Sequence, residues 1–156
     1  MKIIRLQIIL LIAIFSLPVY QLVAVEIPDN GPHLQYHENG NKKSDVLYRS
    51  GKKSGMETEY WPDGSTKMTE MHYKDGKKHG RIIDWDENGA KLTEDHYKNG
   101  ELEGRSTYWN AAGKKIEESL YKDGKQHGRS TKWYDNGEKS SEVHYHHGEK
   151  HGAWDE

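Results

Sequence analysis

Three observations in this chain predict an all-β fold, an elongated single-sheet antiparallel meander of tandem β-hairpin repeats about 24 residues each. The first is glycine periodicity. Tyrosine, two residues, glycine, three residues, glycine recurs as Tyr48/Gly51/Gly55, Tyr73/Gly76/Gly80, Tyr97/Gly100/Gly104, Tyr121/Gly124/Gly128 and Tyr145/Gly148/Gly152. A third glycine follows at Gly64, Gly89, Gly113 and Gly137, with Gly40 ahead of the first tyrosine, so that of 16 glycines only Gly31 falls outside the pattern. A fixed period of this length marks one supersecondary unit stacked on copies of itself. The second observation is turn chemistry: Asp75-Gly76, Asn99-Gly100 and Asp123-Gly124 alternate with Asp63-Gly64, Asn88-Gly89, Ala112-Gly113 and Asn136-Gly137. Such dipeptides supply the positive φ that hairpin turns need. The third is that the intervening segments are too short for helices and alternate by twos.

The elements follow in order. Lys2 and Arg5, the apolar run from Ile8 to Phe15 and the stretch ending Leu22-Val23-Ala24 predict a secretory signal peptide over 1–24. Residues 25–35 are expected to be a linker, and 36–156 the repeat domain. Strands are predicted near 43–49, 56–61, 67–73, 81–86, 91–97, 105–110, 115–121, 129–134 and 139–145. Gly51, Gly76, Gly100, Gly124 and Gly148 are predicted hairpin turns, and Gly64, Gly89, Gly113 and Gly137 the opposite turns. The second glycine of each unit is expected at a strand start, as a bulge or a close approach to a neighbouring aromatic ring. The spacing slips by one residue between Gly64 and Tyr73.

Alternation places Arg81, Ile83 and Trp85 on one face, with Arg105, Thr107, Trp109 and Arg129, Thr131, Trp133 in the following copies; Met56, Thr58 and Tyr60 are the first, weaker copy. Asp45, Glu70, Glu94, Glu118 and Glu142 form an acidic column, and an arginine-to-acid ladder across strands is expected. Exposed pairs of this kind contribute at most about 1 kcal/mol each, so the aromatic columns should dominate stability.

Composition narrows the function classes. The chain has 23 basic and 25 acidic residues; losing Lys2 and Arg5 with the signal leaves 21 against 25, a formal charge of −4. Lysines are interleaved with acids, so nucleic-acid binding lacks its basic footprint, and attraction to anionic membrane surfaces is missing as well. Between Ile27 and Val143 there are eleven Ile, Leu and Val residues, and the only Phe is Phe15. The tyrosines and tryptophans must therefore supply most apolar area, which suits a thin sheet in which each strand touches only its neighbours. With no cysteine, a disulfide-stapled scaffold and an acylated cysteine are both excluded, and the expected location is a bacterial periplasm or the extracellular space.

The run "YKDGKKHGRIIDWDENGAKLTEDHYKNG" and its continuation to "SSEVHY" resemble the bacterial variant of the MORN repeat, as in YwqK-type antitoxin proteins. The resemblance covers about residues 36–154. It implies a β-hairpin repeat with a binding or assembly role, possibilities that include immunity against a toxin.

Chemistry is not expected. The chain lacks a cysteine nucleophile, a Gly-x-Ser-x-Gly elbow, a phosphate-cradling loop and a His-Glu-x-x-His helix. Repetition also gives acidic residues equal environments, whereas a catalytic pair needs unequal ones. His144, His146, His147 and His151 are the sharpest histidine cluster. His79, His127 and His151 share one repeat column, however, and His72, His96 and His144 another, which reads as repeat-derived surface; no metal, cofactor or catalytic residue is expected. The reading that follows is an exported, non-enzymatic scaffold binding an unidentified protein partner through Tyr60, Trp85, Trp109, Trp133, Arg81, Arg105 and Arg129. The alternatives are a membrane-surface or lipid-binding envelope protein and a carbohydrate-facing structural protein. Oligomeric state is left open by the sequence.

Overall fold

The computed structural model describes residues 27–152; the predicted signal peptide and Trp154 lie outside them. One open antiparallel sheet of 11 strands runs in chain order. The strands are β1 (Gly31–Tyr36), β2 (Lys42–Arg49), β3 (Lys52–Tyr60), β4 (Lys67–Lys74), β5 (Lys77–Trp85), β6 (Lys91–Lys98), β7 (Glu101–Trp109), β8 (Lys115–Lys122), β9 (Lys125–Trp133), β10 (Lys139–His146) and β11 (Glu149–Lys150). Each predicted strand is present.

β1 occupies much of the segment expected to be a linker. It is half a repeat: Gly31 pairs with Tyr48 as Gly55 pairs with Tyr73, and Tyr36 pairs with Lys42 as Trp85 pairs with Lys91. Gly31 therefore belongs to the second glycine column, and all sixteen glycines have positive φ. Sequence inspection missed it because β1 lacks the tyrosine that announces the other copies.

The two classes of turn differ in construction. At the first, both central residues have positive φ, for example Asp75 at 53° and Gly76 at 80°, and Lys74 pairs directly with Lys77. This is the two-residue turn whose twist matches its strands. Its glycine N–H points outward and donates to the previous hairpin: Gly76 to the Lys53 carbonyl at 2.9 Å, Gly100 to Lys78 at 2.8 Å, Gly124 to Leu102 at 3.0 Å. The turns are thus stitched together along one edge of the sheet. Even the first turn is tied in, since Gly51 N–H donates to the Asp29 carbonyl.

At the opposite edge the loops are longer and only glycine adopts positive φ. Gly89 N–H donates to the Asp86 carbonyl, and Asp86 N–H to the Ala90 carbonyl. The Asp86 carboxylate accepts from Asn88 and Ala90 N–H, filling the loop with hydrogen bonds. The loop that contains Gly64 closes from Trp61 to Thr66 instead, and this accommodates the extra residue of the spacing slip. Asp63 there accepts from Thr66 and Ser65, which lowers its carboxyl to about 2.

Pairing begins directly after each two-residue turn, so β3, β5, β7 and β9 start about four residues before the predicted positions. The second glycine consequently lies inside the strand, at a bulge. Between the pairs Tyr73↔Lys78 and Met71↔Ile82, three residues, His79, Gly80 and Arg81, face His72 alone. A Cβ at Gly80 would sit 3.5 Å from the His72 Cβ, and one at Gly128 3.2 Å from Leu120 Cδ1. The bulge expectation holds, and the closest approach is to the residue before the tyrosine. The ring N–H of His72 donates to the Arg81 carbonyl freed by the bulge, as His96 does to Arg105. That gives the His72/His96 column a structural role.

The sheet has two dressed faces instead of a two-layer core. Tyr48, Tyr73, Tyr97, Tyr121 and Tyr145 share one face with the row Val46, Glu57, Met71, Ile82, Asp95, Ser106, Ser119, Ser130 and Val143. Ser106 and Ser119 in that row are fully buried. The opposite face carries Thr58, Glu70, Ile83, Glu94, Thr107, Glu118, Thr131 and Glu142 in register.

Candidate interaction face

The last residues of β3, β5, β7 and β9 are Tyr60, Trp85, Trp109 and Trp133, all on the face that carries the acids and all half-buried. Each pairs with the lysine that opens the next strand: Lys67, Lys91, Lys115 and Lys139. A register shift at that point moves the lysine onto the same face as the acid three residues later. The lysines then close on the acids. Lys91 Nζ lies 2.7 Å from Glu94, Lys115 2.9 Å from Glu118, Lys139 2.8 Å from Glu142 and Lys42 2.8 Å from Asp45, and Lys67 pairs with Glu70 in the same way.

The same ammonium groups cap the aromatic of the strand that follows. Lys42 stands 4.2 Å from the Tyr60 ring centroid, Lys91 5.1 Å from Trp109, Lys115 4.7 Å from Trp133 and Lys67 5.8 Å from Trp85. A cation over an indole contributes about 0.5–1 kcal/mol at exposed sites. Hydrogen bonding from Lys91, Lys115 and Lys139 holds the carboxyls of Glu94, Glu118 and Glu142 below their ordinary 4.5, against a smaller opposing effect of desolvation.

The expected arginine-to-acid ladder exists in looser form. Arg81 lies 3.9 Å from Glu94 and Arg105 3.7 Å from Glu118, with both arginine side chains more than half exposed. Arg81, Arg105 and Arg129 are all exposed, and the tighter acid partner is the lysine of the acid's own strand. This lysine column was missed in the sequence, although its signal is plain once sought: Lys42, Lys67, Lys91, Lys115 and Lys139 each stand three residues before an acid.

Shallow depressions open between these units. One of about 340 Å³ is lined by Thr66, Lys67, Trp85 and Gly89, and another of about 350 Å³ by Lys114, Lys115, Trp133, Asn136 and Gly137. Both therefore set an indole edge beside an ammonium and a loop glycine. The ensemble offers apolar area, paired charges and exposed guanidinium groups repeated along the sheet, with each copy in the same surroundings. Repetition without an activated group, and the lack of any cysteine, is consistent with a non-enzymatic scaffold. No helix among the described residues is long and apolar enough to cross a membrane.

Of the histidines singled out in the sequence, His146 and His147 come together, His151 lies beside His146 and its N–H donates to the His144 carbonyl at 2.7 Å, and His127 joins from the preceding repeat.

A comparison with curated proteins found no match. The family model described as MORN repeat variant matches residues 29–50, 78–99 and 126–147. Each match takes in one strand, the glycine-closed loop after it, the return strand and the first turn residue. The unmatched copies between them fold alike, with the same pairing from β3 to β4 and from β7 to β8. The chain is therefore a tandem β-hairpin repeat that is similar to the MORN repeat variant over these three segments.

Proposed function

We propose that the chain is an exported, non-catalytic scaffold that binds a protein partner through the lysine-capped aromatic column and the exposed arginines beside it. The observation that carries this reading is the repeated Lys-acid-aromatic unit: Lys91, Glu94 and Trp109 recur as Lys115, Glu118 and Trp133 along one face. Exposed Arg and half-exposed Trp are the side chains that anchor interfaces, because they combine area with directional hydrogen bonding. Complementary charge on a partner would steer encounter and fix register along these exposed guanidinium groups more than it adds affinity. Export rests on the residues before the sheet, and an immunity role on the resemblance to antitoxin proteins; both are parts of the proposal.

Charge reversal tests the reading. Arg81→Glu, Arg105→Glu and Arg129→Glu together leave the sheet folded and remove binding, so proteins photo-crosslinked from envelope extracts to the unaltered chain should disappear with the triple variant. Recovery of the same proteins by both would overturn the assignment of the face. Mass spectrometry of the chain from cell fractions checks export, with an N-terminus at Val25 in the exported fraction expected; an intact Met1 there refutes cleavage.

A further inference from the structure

The last two-residue turn departs from the others in a specific way. The residue before the turn is Arg49, Lys74, Lys98 and Lys122 in the earlier copies, and the first turn residue is Ser50, Asp75, Asn99 and Asp123. At the final turn both become histidine, His146 and His147. His147 takes up the required positive φ, 52°, a conformation in which histidine is enriched as asparagine and aspartate are; the turn thus accommodates His147 but does not account for His146 beside it.

A second departure lies in the strand opposite. In the two copies before the last, the residue before the bulge glycine accepts a hydrogen bond from the first turn residue of the next hairpin. Asn99 N–H donates to His79 Nδ1 at 3.4 Å, and Asp123 N–H to Glu103 at 3.0 Å. His127 occupies this position in the last full copy, yet its Nδ1 is buried with no hydrogen-bond partner. Its ring instead faces the two turn histidines, with centroids 5.0 Å from His146 and 5.0 Å from His147, which are themselves 4.4 Å apart. One ring nitrogen from each of the three lies within 4.8 Å of the others. His151, in the same repeat column as His127, stands 5.8 Å from His146 between centroids.

We propose that His127, His146 and His147, with His151 as a fourth donor, form a site for a first-row divalent transition-metal ion of which zinc is the best fit. Three imidazoles without a carboxylate or thiolate suit a borderline ion and disfavour magnesium or calcium, which take oxygen ligands. Zn–N bonds of about 2.0–2.1 Å set tetrahedral nitrogens roughly 3.4 Å apart, so the rings need to close by little more than an ångström. Side-chain rotation supplies that movement. Lys122 is the neighbouring cation that a bound ion would meet. The ligands come from two successive hairpins, so an ion there would fasten the last turn to the strand pair before it.

Zinc titration of the full chain, without any affinity tag, tests the site by calorimetry, with visible absorption of Co²⁺ as a probe of tetrahedral geometry. One ion per chain is expected, with intense cobalt bands. His127→Ala and His147→Asn should each weaken binding by about tenfold or more, while His79→Ala, in the same column two repeats earlier, should leave it unchanged. The His147→Asn substitution installs the residue found at the third turn, Asn99, so loss of binding in that variant cannot be loss of fold. The proposal is overturned if the unaltered chain takes up no stoichiometric zinc, or if uptake survives intact in both His127→Ala and His147→Asn.

Discussion

The tyrosine face and the tryptophan face carry aromatic columns of similar length, and they handle them in opposite ways. On the tyrosine face the row beneath the rings narrows to serine, with Ser106 and Ser119 fully buried and the Ser119 and Ser130 hydroxyls bonded at 2.8 Å. Burial raises the phenol pKa values of Tyr73, Tyr97 and Tyr121, which marks these rings as desolvated. On the tryptophan face Trp85, Trp109 and Trp133 are each capped by a lysine that is itself paired to an acid, and the arginines are exposed. A single-layer sheet can thus divide labour: one face is closed by serines and tyrosines, while the other buries Thr58, Ile83, Thr107 and Thr131 along its middle and keeps its charged groups accessible beside them. Stability should be sensitive to volume on the first and to charge, weakly, on the second.

The largest expected effect is therefore steric. Ser119→Leu places three extra carbons where Ser106 and Ser130 already pair with Ser119 on either side, and overpacking of this kind costs about 1–3 kcal/mol. Urea unfolding measures it. Next comes removal of a tyrosine ring: Tyr97→Ala uncovers the seam beside Asp95 and Ser106 and should cost about 2 kcal/mol, less than a fully buried aromatic because the ring is half-exposed. Because repeat stability is nearly a sum of neighbour terms, the loss should be read in both adjoining hairpins by hydrogen exchange.

Acidification comes third and acts on the tryptophan face. Glu94 and Glu118 titrate lower in the folded chain than their ordinary 4.5, so the stability they add is present above that value and lost as pH falls through the lower folded one. Unfolding midpoints should drop as pH falls below about 4.5, and the combined Glu94→Gln, Glu118→Gln variant should show a shallower drop. The smallest effect belongs to Ser106→Ala. The Ser106 hydroxyl is buried without a partner, so its removal should be neutral or stabilising by up to about 1 kcal/mol; a clear loss of stability would mean that the hydroxyl is satisfied in solution.

The repeat and both sets of turns were legible in the sequence because they depend on local rules: Asp75-Gly76 and Asn88-Gly89 announce positive φ wherever they stand. The bulges were only half legible. That three residues around Gly80 face His72 alone is a property of cross-strand register, which no short window contains. A second shift of register, between Asp84 and Trp85, hid the lysine column, since Lys91 and Glu94 would lie on opposite faces of an unbulged strand. His127 was read as repeat-derived surface and kept out of the histidine cluster for a related reason: it meets His147 across 20 residues, the same separation that joins His79 to Asn99. Strand β1 was passed over because its column residue, Gly31, stands in a copy without a tyrosine.

The division between faces is tested most directly at one adjacent pair of positions in the middle of the sheet. Ser119 pairs with Ser106 on the tyrosine face, and Arg105 pairs with the next residue, Leu120, on the tryptophan face. Equilibrium urea unfolding of Ser119→Leu and Arg105→Glu compares the two faces within a single β7–β8 hairpin. A loss of about 1–3 kcal/mol for the first and of no more than about 0.5 kcal/mol for the second is the predicted result. Equal losses, or a larger one for Arg105→Glu, would contradict the assignment of stability to one face and recognition to the other.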